Sequence, residues 1–225
     1  MDNWNGIISL LIACIELVII INLFVFATKN RFNRIVITLL IILMIYQAIE
    51  FILCQWGYSS SLLTYLAFAD ISFLPALDLY FIYNFFIKEN KNLKIIFAVP
   101  LMFITYYAFI INRFVMTSCT VFFAVFNYPH GTLYGVYYYL PVVISVYYLI
   151  FYLQKGILQK KVVYAGLFLA GHAIMIIPVL FAFLLSALRM HAMLNAIESI
   201  MCKFAFGYVL CLTFFALNYK ENTDG

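Results

Sequence analysis

Seven long apolar runs, joined by short polar connections, restrict this chain more than any other feature it has. They extend from Gly6 to Thr28, Ile35 to Gln55, Leu62 to Ile87, Leu93 to Asn112, Thr132 to Leu153, Val162 to Leu188 and Ala192 to Tyr219. A helix rises 1.5 Å per residue, so about 20 residues cross the roughly 30 Å of bilayer hydrocarbon, and each run is long enough. Lipid offers backbone groups no hydrogen bonds, so runs of this continuity must be helices; barrel strands would be shorter and would alternate in polarity. The expected fold class is an all-α, seven-transmembrane helix bundle, a single integral membrane domain over residues 1–225.

The bundle consumes the chain. Of its 225 residues, 67% are apolar and only 10% charged, which leaves loops and no room for a soluble catalytic or DNA-binding domain. The formal charge of +4 is spread over short connections, so it signals topology and no nucleic-acid partner is expected. Lys29, Arg31 and Arg34 follow the first run, Lys88, Lys91 and Lys94 the third, and Lys155, Lys160 and Lys161 the fifth. The intervening connections carry only Arg113 and Arg189. By the positive-inside rule the N-terminus is outside and the C-terminus cytoplasmic, in a multi-pass protein of the plasma membrane whose first partner is the bilayer. The first run follows Met1-Asp2 with no basic segment and no cleavage site, so a retained span is expected. Trp4, Trp56, Tyr58, Tyr128 and Tyr219 fall at expected interfaces, where amphipathic rings anchor.

The connection from Arg113 to Gly131 is long, β-branched and aromatic, which points to a β-hairpin. On the outer side it can be a lid over the bundle mouth or a segment resting its phenylalanines on the headgroups. Of the five cysteines, Cys14, Cys54, Cys119, Cys202 and Cys211, the pair Cys54 and Cys119 lies close enough to bridge, but free thiols are the expectation. No spacing suggests a metal site.

The chemistry lies in the buried charges. Glu16, Glu50, Asp70, Asp78 and Glu198, five of the nine carboxylates, fall inside the runs together with Lys203 and His172. Each such group costs roughly 2.5 to 3.5 kcal/mol at the bilayer centre, so they must face the interior and pair, protonate or hydrate. Depth counting places Glu16, Asp70, Glu198 and Lys203 near one level, with Glu50 nearer the outside and Asp78 and His172 nearer the cytoplasm. Gln47, Glu50 and Cys54 share one helix face, as do Asn195, Ser199 and Lys203. Glu198 is about 140° around the helix from Lys203, which leaves Asp70 as the expected partner of that lysine. Seven ionisable positions favour a role in binding a small ligand or protons over packing alone. No nucleophile is paired with a base, so no enzyme is expected.

Two families share short motifs with the chain. Glu50 followed by Ile71-Ser72-Phe73-Leu74-Pro75-Ala76-Leu77-Asp78-Leu79-Tyr80-Phe81, and later the segment NYPHGTLYGVYYYLPVVIS, resemble the seven-helix sensor region of bacterial histidine kinases and related regulators. The resemblance implies a sensor or receptor-like module without a cofactor; with no output domain before Gly225, a separate cytoplasmic or membrane partner would carry the signal. Lys203-Phe204-Ala205-Phe206-Gly207, Pro178-Val179-Leu180-Phe181 and Ala69-Asp70-Ile71-Ser72-Phe73 are similar to stretches of microbial rhodopsins. That resemblance implies retinal on Lys203 with Asp70 as counterion. It departs at Ala67 and Ile174, where the family carries arginine and tryptophan, at the proline after Asp70, which comes one residue early, and at the acid of the last helix, off by one. A small proton-coupled transporter is a third reading.

Overall fold

A computed structural model describes residues 4–56, 60–87, 90–155, 159–187 and 197–219. Tyr58, Lys88 and Arg189 lie outside these residues, as do the side chains of Lys91, Lys160 and Glu198. The chain is mostly helical. In order it forms α1 (Ile7–Phe26), α2 (Arg31–Trp56), α3 (Ser61–Ile71), α4 (Leu74–Ile82), α5 (Ala98–Ala108), a hairpin of β1 (Val115–Cys119) and β2 (Ala124–Asn127), then α6 (Gly131–Lys155), α7 (Gln159–Ala187) and α8 (Ile197–Asn218). Among the described residues six helical stretches are long and apolar enough to cross a membrane: Ile7–Phe26, Arg31–Trp56, Ser61–Ile87, Leu133–Lys155, Lys161–Phe181 and Ser199–Asn218. A shorter apolar stretch, Asn92–Ala108, corresponds to the fourth run. It begins as a 3-10 helix over Lys91–Phe97, whose residues rise faster than an α-helix and so leave fewer helical residues for a given length.

The third run is broken where the sequence demands it. Pro75 sits in the first turn of α4 and cannot supply an amide to the preceding turn, so α3 stops at Ile71. The Tyr137 hydroxyl from α6 donates to the Ser72 carbonyl in the break, which satisfies backbone that lipid could not. The same run ends in a π-helical turn, Tyr83–Ile87, where the Lys161 ammonium caps the Phe85 carbonyl at 3.0 Å.

Aromatic clusters close the bundle at both ends. Phe68 packs against Phe114, Phe126, Tyr128 and Tyr134 beneath the hairpin. At the opposite end Phe85 contacts Phe32, Phe81, Phe215 and Tyr219, and the Arg31 guanidinium lies over Phe32 at 4.5 Å. The outer surface carries Phe24, Val25, Phe26, Leu101, Leu140, Leu180 and Leu217 exposed, as lipid-facing positions should be.

The hairpin pairs Val115 with Asn127 and Cys119 with Ala124, with a bulge between Met116 and Ser118. Phe114, Ala124 and Phe126 are buried against the bundle while Val121 and Phe122 at the tip are exposed, so one element combines a packed lid with an apolar tip. Three ties hold it. Cys54 and Cys119 form a disulfide, which corrects the expectation of free thiols. The Gly6 amide donates to the Thr120 carbonyl at 2.9 Å, and Gly6 adopts a left-handed φ of +73° with a would-be Cβ only 2.8 Å from the Cys54 Cβ, so glycine alone fits this crossing. The third tie leads into the interior.

Candidate functional site

Lys203 projects from α8 onto Glu50 of α2, and the two form a buried ion pair with side chains 3% and 0% exposed. This overturns the expected Lys203–Asp70 contact. Depth counting fixed the level but not the direction: α3 turns toward α5 and the hairpin, with the Tyr65 hydroxyl on the Ile104 carbonyl at 3.0 Å and Phe68 against Phe114 and Phe126. Asp70 is only half-buried there, with Oδ2 unpartnered.

Glu50 Oε1 accepts three donors: the Lys203 ammonium, the Ser9 hydroxyl of α1 at 2.9 Å and the Ser199 hydroxyl of α8 at 3.0 Å. Charge-assisted bonds of this kind let a carboxylate stay ionised out of water. Ser199 also accepts from Lys203 at 3.2 Å and from the Ala124 amide of β2 at 3.0 Å. That amide is the third tie, a direct link from hairpin backbone to the ion pair. One turn deeper, Gln47 donates to the Cys202 carbonyl at 3.2 Å.

A second polar cluster joins α4, α7 and α8. His172 Nε2 lies 3.0 Å from Asp78 Oδ2, its Nδ1 lies 2.8 Å from the Phe168 carbonyl, and the Tyr208 hydroxyl donates to Asp78 Oδ1. A carbonyl only accepts, so Nδ1 carries a hydrogen, and a further proton must lie between Nε2 and Oδ2 whichever atom holds it. Ser145 turns toward the same carboxylate without reaching hydrogen-bond geometry. Gly171 permits the arrangement: a Cβ there would stand 2.5 Å from Tyr208 Cδ2.

Between the two clusters lies a cavity of about 40 Å³, lined by Leu43, Asp78, Tyr138, Met201, Cys202 and Tyr208 among others. That space accommodates about two or three waters, with Asp78 and Tyr208 among its polar lining residues. Lys203 also borders an open groove of about 280 Å³ with Ile12, Phe122, Ile174, Phe204 and Gly207. Glu16 on α1 is fully buried, feels the charge of Lys203, and has no hydrogen-bond partner on either oxygen.

Of the seven expected site residues, the structure therefore brings together Lys203 with Glu50, and Asp78 with His172. Glu16 lies toward the first pair, Asp70 stands apart, and the Glu198 side chain is outside the described residues. Ser9 and Tyr208 were missed. Ser9 stands two turns before Glu16 on the same face of α1, a signal available in the sequence, whereas Tyr208 was indistinguishable from the other tyrosines of an aromatic-rich chain.

Retinal fits this interior poorly. Lys203 has a carboxylate beside it, but it does not line the 40 Å³ cavity, which is far too small for a twenty-carbon polyene, and the groove it does line is open. Among the described residues no group of histidine, cysteine and carboxylate side chains could hold a metal ion. Comparison with family models, with curated proteins and with solved structures finds no match for the chain.

Proposed function

We propose that this chain is a seven-helix membrane sensor that binds protons or a small ligand in its charged interior and passes the change to a separate partner at its cytoplasmic end. The observation that carries the reading is Ser199, which accepts from the hairpin backbone at Ala124 and from Lys203 while donating to Glu50. A displacement of the hairpin must alter the ion pair, and a change in the pair must reach α1, α2 and α8 at once. The cavity beneath supplies free volume for such movement, and the Asp78–His172–Tyr208 cluster lies beyond it, toward the lysine-rich end.

Several observations support the topology this needs. Seven of the residues Lys91–Phe97 at about 2 Å each and eleven of Ala98–Ala108 at about 1.5 Å reach about 30 Å, enough for a seventh crossing. Contacts of Tyr80 with Phe97 and of Tyr65 with Ile104 run along that length. Lys29, Arg31, Arg34, Lys94, Lys155 and Lys161 belong to connections at one end, and the disulfide belongs to the other. A disulfide suits an oxidising outer side, which supports the reading of hairpin and N-terminus outside and C-terminus in the cytoplasm of a plasma-membrane protein.

The test uses the protein in nanodiscs and in liposomes, with pH steps as the stimulus. Amide exchange in the connections at residues 29–34, 88–94 and 155–161 should change with pH without net proton flux across liposomes. Sustained flux abolished by Lys203→Met would replace sensing with transport. A visible absorption band on adding all-trans retinal, lost in Lys203→Ala, would replace it with a pigment.

A further inference from the structure

Formal charge around Lys203 does not balance. One ammonium faces two fully buried carboxylates, Glu50 and Glu16, and Glu50 takes both the ammonium and two serine hydroxyls. Glu16 receives none of these donors. Four buried acceptor oxygens in this region have no donor: both of Glu16, Oε1 of Gln47 and Oε2 of Glu50. Native interiors satisfy buried acceptors, so a group of four calls for a species that brings positive charge or a hydrogen.

Those of Glu16 and Gln47 lie on facing stretches of α1 and α2. Gly6 against Cys54 and Ser9 on Glu50 fix α1 and α2 as antiparallel neighbours, and the same register sets Glu16 one turn from Gln47 along the shared interface. Helical side chains lean toward the N-terminus of their own helix. On antiparallel helices Glu16 and Gln47 therefore lean toward each other, which brings the carboxyl and the amide to one level. Glu16 is then faced by Gln47 from α2 and feels the charge of Lys203 from α8.

We propose that Glu16, with Gln47, is a binding site for one monovalent cation, either a proton or a sodium ion. A proton on Glu16 supplies the missing charge and a hydrogen for Gln47 Oε1. A sodium ion supplies the charge and takes the oxygens as ligands. This inference rests on the reading of the interior as the responsive part of the molecule, and it names what that interior binds.

The experiment reads binding rather than signalling, so its failure is separable from failure of the sensor reading. Infrared spectra of the protein in nanodiscs at neutral pH are recorded for the native chain, Glu16→Gln and Gln47→Leu. In parallel, thermal unfolding is compared in sodium chloride and in choline chloride at equal ionic strength. A protonated-carboxyl band present in the native chain, lost in Glu16→Gln and shifted to higher frequency in Gln47→Leu identifies the proton. Absence of that band, with a sodium-specific rise in melting temperature that both variants abolish, identifies sodium. Where Glu16→Gln does not fold, Gln47→Leu decides alone through the shift or the lost sodium effect. Neither a band nor a sodium effect, or either one unchanged in Gln47→Leu, overturns the proposal.

Discussion

Two glycines on α7 separate packing from helix propensity. A Cβ on Gly166 meets nothing within 4 Å, whereas one on Gly171 would lie 2.5 Å from Tyr208 Cδ2 and 3.3 Å from Cys211 Sγ. Gly166→Ala should therefore stabilise the bundle by up to about 1 kcal/mol through helix propensity alone. Gly171→Ala gains the same amount, but overpacking costs about 1 to 3 kcal/mol, and pushing the Tyr208 ring aside breaks a hydrogen bond to Asp78 of about 1.5 to 3 kcal/mol. The net expectation is a loss of about 1.5 to 5 kcal/mol. Unfolding in mixed micelles titrated with dodecyl sulfate, followed by far-ultraviolet circular dichroism, measures both. On a Tyr208→Ala background the Gly171→Ala penalty should fall by more than half, because the ring it strikes is gone and only the 3.3 Å approaches to Cys211 Sγ and the Tyr208 Cα remain. If Gly171→Ala is as benign as Gly166→Ala in the native background, the close approach of α7 and α8 and the cluster built on it are wrong.

Three further outcomes follow from named contacts. His172→Phe keeps the ring packing on Tyr208 but leaves Asp78 Oδ2 without its donor, and should cost about 3 kcal/mol in the same unfolding assay; adding Asp78→Leu should recover most of it. Cys54→Ser opens a loop closed over a sequence separation of 65 and should cost at most about 4 kcal/mol by chain entropy. Amide exchange in residues 115–127 should rise in that variant while α7 is unchanged. Gly6→Ala places a Cβ 2.8 Å from the Cys54 Cβ at a φ of +73°, and should slow disulfide formation, read by thiol alkylation after brief oxidative refolding.

The membrane character, six of the long spans and the placing of a hairpin between residues 113 and 131 were legible because length, hydropathy and β-branched composition are local properties. The fourth run, Leu93 to Asn112, came out shorter because its helix stops at Ala108, where a turn and the 3-10 segment Ile111–Arg113 lead into the hairpin, which hydropathy does not register. The interior was legible in composition but only partly in pairing. That Glu50, Lys203, Asp78 and His172 must be sheltered follows from the cost of burying charge; which of them meet depends on the rotation of each helix. The break before Pro75 and the turn of α3 toward α5 carry Asp70 away from Lys203, and no depth count contains that rotation. The Cys54–Cys119 bridge was geometrically open from the sequence, yet its formation depends on the hairpin folding back over α2, which only long-range packing sets.

The pairing of Lys203 with Glu50 is the contact on which the site depends, and double-mutant cycles measure it directly. Lys203→Met is combined with Glu50→Gln in one cycle and with Asp70→Asn in another, and unfolding free energies are compared in one detergent system. The structure predicts a coupling of about 2 kcal/mol or more between Lys203 and Glu50 and less than about 0.5 kcal/mol between Lys203 and Asp70. Strong coupling to Asp70 with none to Glu50 would contradict the account at its centre.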